Sequence, residues 1–585
     1  MCGINLIATT RPQDLQAPMA TMQAAVRHRG PDAAATWQGR VGNLQVTLGA
    51  ARLRITDPTP RADQPMVSAC GRYVLAFNGQ VYNHQDLRNE LLPQGRQFRT
   101  ASDTETVLYW LQEKGLTGLS SLKGMYALVF IDLQENKIIL ARDRHGIKPL
   151  FYSKTVNSLL VSSHLPAMLQ SGLGAYSLRQ QAVNEYLAYR HVWGSHTLVS
   201  GIEQVPPGKA LIFDQALREQ EELVPEPDGP PLPLKEALVN ALALVFADPH
   251  KPALLLSGGV DSTLILAMLN RELGYREVEA FSLAASPDET WAARAARQYG
   301  AHYHPIQAGI ESLQQIDDFI AGIDQPVGDH GALATWLLAR QIATTGKTVL
   351  SGAGADELFG GYNRHRAFAF YLRYQKLLLA ARHMPLIGRM LPARYRSVWA
   401  ALDRDPARTY HHFLQHYAIR QQAQPPFNWP AGSDYLQEAL SLDYRHYLVN
   451  DVLAITDNAT MHHSLEARVP YLYDDVVAAA GRLPAAEKLN RETKEPLKAL
   501  LREYGGMAFT RRPKTGFGLP LAGWLRQADS RWLEEEMLHD KRITEFLPHD
   551  KLLLMWRQHR QGKKDHSMAL WTILVLQKWL RQNKL

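Results

Sequence analysis

An apolar run that turns sharply on two glycines, Leu254-Leu255-Leu256-Ser257-Gly258-Gly259-Val260-Asp261-Ser262, constrains this chain more than any other segment. Three successive leucines suit a strand buried on both faces, and such strands belong to parallel sheets covered by helices. The surrounding pattern agrees. Strands are expected at 253–256, 278–283, 301–306 and 348–350, alternating with helices that begin at Ser262, cover 289–299 and run around 332–344. Alternation of strand and helix predicts an α/β domain whose parallel sheet is wrapped on both faces. From about Phe368 the strand signals fade, and long Leu, Ala, Arg and Tyr patterns predict helices packed onto that sheet.

The first part of the chain has a different rhythm. From Gly3 to about Asp214, β-rich stretches at 4–8, 46–48, 73–77, 127–131, 138–140 and 159–161 recur between Gly, Asn and Asp turns. A helix is predicted over 103–113, starting on an acidic residue and stopping at Gly115. This half is therefore α+β. Between the halves stands Glu-Glu-Leu-Val-Pro-Glu-Pro-Asp-Gly-Pro-Pro-Leu-Pro, whose prolines forbid a helix interior and a central strand. The expected division is a domain over 2–214, a linker over 215–234 and a second domain over 235–585; 585 residues exceed what one core can organise.

Composition narrows the function classes. Hydrophobic residues at 46% and charged residues at 21% exclude a disordered or fibrous chain. The net charge of +7 is scattered, with Arg511-Arg512-Pro513-Lys514 the strongest local excess, so no nucleic-acid partner is expected. No apolar run approaches membrane-spanning length, and the start lacks a secretion signal. The two cysteines, Cys2 and Cys70, give no disulfide framework, which points to a reducing compartment and a cytoplasmic location. The pairs His411-His412 and His462-His463 lack zinc-ligand spacing and are read as helix histidines.

The glycine turn carries the first chemical signal. It bares backbone N–H groups, and a helix N-terminus together with the hydroxyls of Ser257 and Ser262 adds donors for one anion. Asp261 is placed to hold an accompanying magnesium ion. No lysine follows as in a Walker loop, so the bound group is read as a pyrophosphate that leaves.

Ser-Gly-Gly-Val-Asp-Ser resembles the signature of the ATP pyrophosphatases. With the Met-Cys-Gly start, the chain resembles the glutamine-hydrolysing asparagine synthetases from Met1 to about Leu525. The supporting segments are His28-Arg29-Gly30-Pro31-Asp32, Phe77-Asn78-Gly79-Gln80-Val81-Tyr82-Asn83, Ser102-Asp103-Thr104-Glu105 and Arg142-Asp143-Arg144-His145-Gly146-Ile147-Lys148-Pro149-Leu150. The second half adds Ser351-Gly352-Ala353-Gly354-Ala355-Asp356-Glu357-Leu358-Phe359-Gly360-Gly361-Tyr362 and Leu465-Glu466-Ala467-Arg468-Val469-Pro470.

The resemblance implies an Ntn-hydrolase-type αββα sandwich, a class II glutamine amidotransferase, followed by an α/β ATP-pyrophosphatase domain with added C-terminal helices. It makes Cys2 the nucleophile once Met1 is removed, with the freed α-amine as base. Asn78 and Gly79 would hold the oxyanion, Arg52 the glutamine α-carboxylate and Asp103 its α-ammonium, while the backbone at Ile55 and Thr56 lines the pocket. ATP would lie against Leu255, Ser257, Gly258, Gly259, Asp261, Ser262, Leu283, Ser351 and Gly352. Magnesium would sit on Asp261 and Asp356, and Lys494 would stabilise charge during adenylation or amide formation. The implied reaction passes ammonia from glutamine through an apolar passage to an acyl-adenylate, taking aspartate to asparagine and releasing AMP and pyrophosphate; a homodimer is left open.

Four departures bear on this. Gln80 replaces the usual glutamate after Asn-Gly, Tyr473 an aspartate, and Asn458 a basic residue. Ala353 replaces the glutamate that faces the acceptor, so a different carboxylic acid is the alternative acceptor. Two other readings remain: a ligase without glutaminase activity, which the retained Cys2, Arg52, Asn78, Gly79 and Asp103 oppose, and a tRNA-modifying pyrophosphatase, which would carry basic patches or transfer cysteines in the second half.

Overall fold

The computed structural model describes residues 2–226, 230, 232–246, 251–284, 289–382, 390–415, 419, 424–490, 492–512, 518–527, 536 and 541–585. The first half contributes β1 (Cys2–Thr9), β2 (Ala33–Val41), β3 (Leu44–Arg52), β4 (Met66–Val67), β5 (Tyr73–Val81) and β6 (Gly124–Asp132). It continues with β7 (Lys137–Arg142), β8 (Phe151–Lys154), β9 (Ser158–Ser162), β10 (Glu203–Gln204), β11 (Lys209–Phe213) and β12 (Glu219–Leu223). These form two six-stranded sheets in the orders β10-β8-β9-β1-β3-β2 and β12-β11-β7-β6-β5-β4. Every pairing within them is antiparallel.

Side chains alternate across a strand, so each sheet has two faces to bury. On β5, Val74 and Ala76 join Ile4, Leu6 and Ala8 of β1 in the core between the sheets. Leu75 and Phe77 instead pack outward with Leu87, Leu108 and Trp110 of the helices His84–Leu91 and Asp103–Lys114. On the other side Ile7 packs with Met19 and Met22 of the helix Gln16–Ala25. The result is the expected αββα sandwich. β12 lies in the stretch read as linker. Glu219–Leu223 precede the first proline of that stretch, Pro225, so nothing prevents them from pairing along β11 as an edge strand.

The second half holds one five-stranded sheet, with β13 (Ala253–Leu255), β14 (Glu279–Leu283), β15 (His302–Ile306), β16 (Thr348–Leu350) and β17 (Glu466–Arg468) in the order β15-β14-β13-β16-β17. All four pairings are parallel. The chain leaves β13 to one side for β14 and β15 and returns on the other side for β16, so a crevice opens at the carboxyl end of β13. β17 was not foreseen: only three residues long, it carries Glu466 and Arg468, fully buried and paired Nε to Oε1 at 2.7 Å, and so gives no apolar signal. Helices follow as expected, with one departure in winding. Asp443–Leu453 forms a wide π-helix that runs into the α-helix Ala454–Met461.

Candidate active sites

Cys2 opens β1 directly opposite Arg52 on β3 and is buried. Its backbone N donates to Asn78 Oδ1 at 3.1 Å, and Gln64 Nε2 lies 3.5 Å from its Sγ. Gln64 is itself fixed, its Oε1 accepting from Phe77 N at 2.6 Å. Burial pushes the Cys2 thiol up, against the pull of the Arg52 guanidinium. A thiol so raised needs a base beside it to become a nucleophile.

Asn78 is fully buried in β5, and its Nδ2 finds no hydrogen-bond partner among the described residues. An orphaned buried donor beside a nucleophile is what a developing oxyanion requires. Gly79 must be glycine, because a Cβ there would stand 2.1 Å from Met125 O on β6. Asp103 begins its helix one residue after the N-cap Ser102 and accepts from Val81 N at 3.0 Å and Thr104 N at 2.9 Å. Burial raises its carboxyl despite the nearby His84. Arg52 is held by Asp63 at 2.9 Å and by the carbonyls of Thr59 and Asp57. Ile55 is buried, and Thr56 Oγ1 donates to Gln80 Oε1 at 3.0 Å. Gln80 therefore accepts through the atom that a glutamate would also present.

In the second half the glycine turn lies between β13 and the helix Val260–Arg271. Gly258 has φ +67°, and a Cβ there would meet the backbone of Trp291 and Ala292 at 2.4–2.5 Å, so only glycine fits. Ser262 Oγ accepts from Ser257 N at 3.2 Å and tightens the turn. A cavity of about 260 Å³ opens beside it, with Leu255, Ser257, Asp261, Ser262, Ser351, Gly352 and Asp356 on its wall. Gly258 and Gly259 shape the turn, and Leu283 ends the neighbouring β14 without reaching the wall.

Lys494 is brought to the same place from far along the chain. Its Nζ lies 2.5 Å from Asp261 Oδ2 and 2.7 Å from Asp356 Oδ1. Burial works against its charge, but the two carboxylates outweigh it and hold the ammonium above its usual range. Lys494 has φ 57°, a left-handed conformation unfavourable for a side-chain-bearing residue. Two carboxylates converging on one cation fit magnesium, which takes one or two protein carboxylates and completes its shell with phosphates and water.

Several motif segments join the halves. Arg29 and Lys148 of the first half both reach Asp457 of the second, at 2.7 and 3.2 Å, and all three are buried. Arg144 and His145 meet Asp474, each at 2.9 Å, and Asp32 meets Lys347 at 2.6 Å. Asp143 organises its loop by accepting from the backbone N of Tyr126, His145, Ile147 and Lys148.

A cavity across this boundary is lined by Arg142, Phe151 and Gln204 from one side and Asn450, Asp457 and Asn458 from the other. It shares Gln325 and Asn458 with a second cavity, which shares Ile455 with the large one. The walls of these cavities set apolar side chains beside buried amides and carboxylates, because the helix at the boundary carries the ion-pair partners of the first half. Asn458, in place of a basic residue, has its Oδ1 buried without a partner among the described residues. Tyr473 lies at the boundary, its ring 6.5 Å from that of Tyr82.

Sequence reasoning missed Asp329, Thr335, Tyr447, Asp451 and Thr456, which complete the large cavity. They come from the segment before and within the helix Gly331–Ile342 and from the π-helix and its continuation, and no motif marked them. Cys70 is exposed and free, and Cys2 is free. His411 bonds Tyr189 OH at 2.7 Å and His462 accepts from Trp336 Nε1 at 2.8 Å; among the described residues no group of three ligating side chains could hold a metal.

The family described as "Asparagine synthase" matches residues 233–581, and "Glutamine amidotransferase domain" matches residues 1–223. The chain belongs to the asparagine synthase family. It is built as a ligase of the glutamine-hydrolysing type. The Bacillus subtilis "Asparagine synthetase 1", named as glutamine-hydrolysing, is 25% identical over 99% of this chain and 96% of its own length. A Mycobacterium tuberculosis protein that carries the same assignment provisionally is 29% identical over 99% of this chain and 97% of its own length. The Gibberella zeae "Amidase chry2" is 28% identical over 63% of this chain and 60% of its own length. None of the described helices is long and apolar enough to cross a membrane.

Proposed function

We propose that the chain hydrolyses glutamine at Cys2 and transfers the ammonia to a carboxylate that the second half activates as an acyl-adenylate, releasing pyrophosphate and then AMP. The observation that supports this best is the orphaned Asn78 Nδ2 beside Cys2 in the same chain as a glycine turn flanked by Asp261, Asp356 and Lys494. With Met1 removed, the Cys2 amine takes the thiol proton, the sulfur attacks the carboxamide, and Asn78 Nδ2 with the Gly79 backbone receives the negative oxygen. Asp103 and Arg52 orient the glutamine. The adjoining cavities favour transfer inside the protein, where ammonia escapes protonation by bulk water.

In the second half the turn at Ser257–Ser262 cradles the departing pyrophosphate. Bound at Asp261 and Asp356, magnesium would neutralise phosphate charge. Lys494 then follows the charge that develops as the carboxylate oxygen attacks the α-phosphorus. The names of the relatives point to aspartate as acceptor and asparagine as product. A different carboxylic acid is favoured by Ala353, which stands on the cavity wall and offers only a methyl group. Two unpaired cysteines suit a cytoplasmic setting. The test is pyrophosphate release from ATP and magnesium with glutamine and a panel of acids. Release with no acid in the panel refutes the activation step, and release unchanged by glutamine analogues that alkylate Cys2 refutes the coupling.

A further inference from the structure

The large cavity is also walled by elements other than the glycine turn. They contribute Asp329, Thr335, Tyr447, Asp451 and Thr456. The two threonine hydroxyl protons are already used: Thr335 Oγ1 donates to Gly331 O at 2.8 Å and Thr456 Oγ1 to Val452 O at 2.7 Å. Asp329 is provided for as well. Its Oδ1 accepts from Gly331 N at 2.8 Å and lies 3.4 Å from His330 Nδ1, and its Oδ2 lies 3.8 Å from the Arg190 guanidinium. Burial works against its charge, but His330 and Arg190 keep it ionised.

Asp451 is different. It is 1% exposed, and its Oδ2 finds no hydrogen-bond partner among the described residues. The nearest cationic candidate is His191, whose Nδ1 is 3.9 Å away. That imidazole cannot supply a charge, because burial and the guanidinium groups of Arg190 and Arg364 hold it down at about 3. Burial and the neighbouring Asp329 push the Asp451 carboxyl up to about 8, against the pull of the Arg190 and Arg364 guanidinium groups. A buried carboxyl with an unanswered oxygen on a cavity wall is completed by what enters the cavity.

The composition of the wall says what that is. Among the described residues lining the cavity there is no lysine, arginine or histidine. Its carboxylates are Asp261 and Asp356, which share the Lys494 ammonium, and Asp329 and Asp451, which come from other elements. Aspartate also brings an ammonium, but on the carbon that bears its second carboxylate, which would then stand beside Asp329 and Asp451 with no lining cation to answer it. An acceptor with one carboxylate, to be adenylated, and one ammonium, to face Asp451, leaves no second anion unanswered.

We propose that Asp451, backed by Asp329, receives the ammonium group of an amino-substituted monocarboxylic acid, and that this is the acceptor class of the chain. The inference rests on the amidotransferase reading above and names its substrate. The acceptor carboxylate oxygen attacks the α-phosphorus and pyrophosphate leaves; ammonia then attacks the acyl carbon, the bond to AMP breaks, and a proton is released with the amide. Paired with two carboxylates, the acceptor's own nitrogen stays protonated and does not attack its adenylate. Ala353, on the same wall, adds no competing charge.

The test uses matched pairs, γ-aminobutyrate against butyrate and δ-aminovalerate against valerate, with aspartate alongside, in the full chain with ATP, magnesium and glutamine. The amine-bearing member of each pair should exceed its partner and aspartate in kcat/KM for pyrophosphate release by about tenfold or more. In Asp451→Asn that preference should shrink to within about twofold, and Asp329→Glu, which keeps the charge, should retain most of it. Thermal melting and glutamine hydrolysis report whether each variant is folded. Preference for aspartate, no advantage for the amine, or an advantage that survives Asp451→Asn overturns the inference. Pyrophosphate release with none of the acids, while glutamine is still hydrolysed, defeats the amidotransferase reading itself and the inference with it.

Discussion

Asp457→Ala should uncouple the two halves. In the folded chain the carboxylate sits between Arg29 at 2.7 Å and Lys148 at 3.2 Å, and the three side chains are 5%, 0% and 1% exposed. Burial opposes the charge of Asp457, but the two cations hold its carboxyl below the usual carboxylate range. Truncation leaves two cations facing each other away from water. Removing one partner of a buried ion pair costs about 3–5 kcal/mol. At 1.4 kcal/mol per tenfold, that shifts the equilibrium between joined and parted halves by a factor of roughly 10² to a few times 10³. Asp457 also lines the cavity that crosses the boundary, so the same loss opens that cavity. The assay is amide formed per glutamine hydrolysed, with tryptophan fluorescence in urea as the readout of stability. Asp457→Ala should lower both the ratio and the urea midpoint, and Asp457→Asn, which keeps an acceptor oxygen, should fall between it and the parent. An unchanged ratio together with an unchanged midpoint would falsify the reasoning. The pH dependence has a definite sign. Because the folded pKa lies below the unfolded value of about 3.9, the contribution is complete above that pH and is lost as pH falls through the lower, folded value. The urea midpoint should therefore hold until the solution is more acidic than about pH 4.

Other outcomes can be checked independently. Cys2→Ala should abolish product formation from glutamine and keep it with ammonium chloride; loss of both would mean that the halves are not separable in function. Asn78→Ala should lower kcat for glutamine hydrolysis by roughly 10²–10³ with a much smaller change in KM, and a normal kcat would remove Asn78 from the oxyanion site. Lys494→Ala should cut pyrophosphate release by a factor on the order of 10² while glutamine hydrolysis continues, and equal loss of both activities would point to misfolding instead. Gln80→Glu should stay within about twofold of the parent, since both side chains offer Thr56 the same acceptor oxygen.

Much of the fold is legible in the sequence because its signals are local. The leucine run of β13, the glycines after it and the helix Glu289–Tyr299 are readable from period and turn chemistry alone. The helix at Asp103 declares itself through its acidic start and its Gly115 stop. β12 and β17 escape this reading for physical reasons. One is an exposed polar edge and the other a buried polar pair, and in both the hydrogen-bonded neighbour, rather than hydrophobicity, makes the strand.

The candidate sites divide in the same way. The sequence determines which groups can do chemistry: a cysteine at position 2, an Asn-Gly in a strand, a glycine turn before a helix. Tertiary structure alone decides which of them meet. Lys494 is 233 residues from Asp261 yet shares a hydrogen bond with it, and Asp457 gathers Arg29 and Lys148 from across the domain boundary. Asp329 and Asp451 on the cavity wall carry no motif at all, because an orphaned oxygen on Asp451 is a property of what surrounds it. Local pattern is a short-range energy and can be read along the chain; burial and charge pairing are long-range and exist only once the chain has closed on itself.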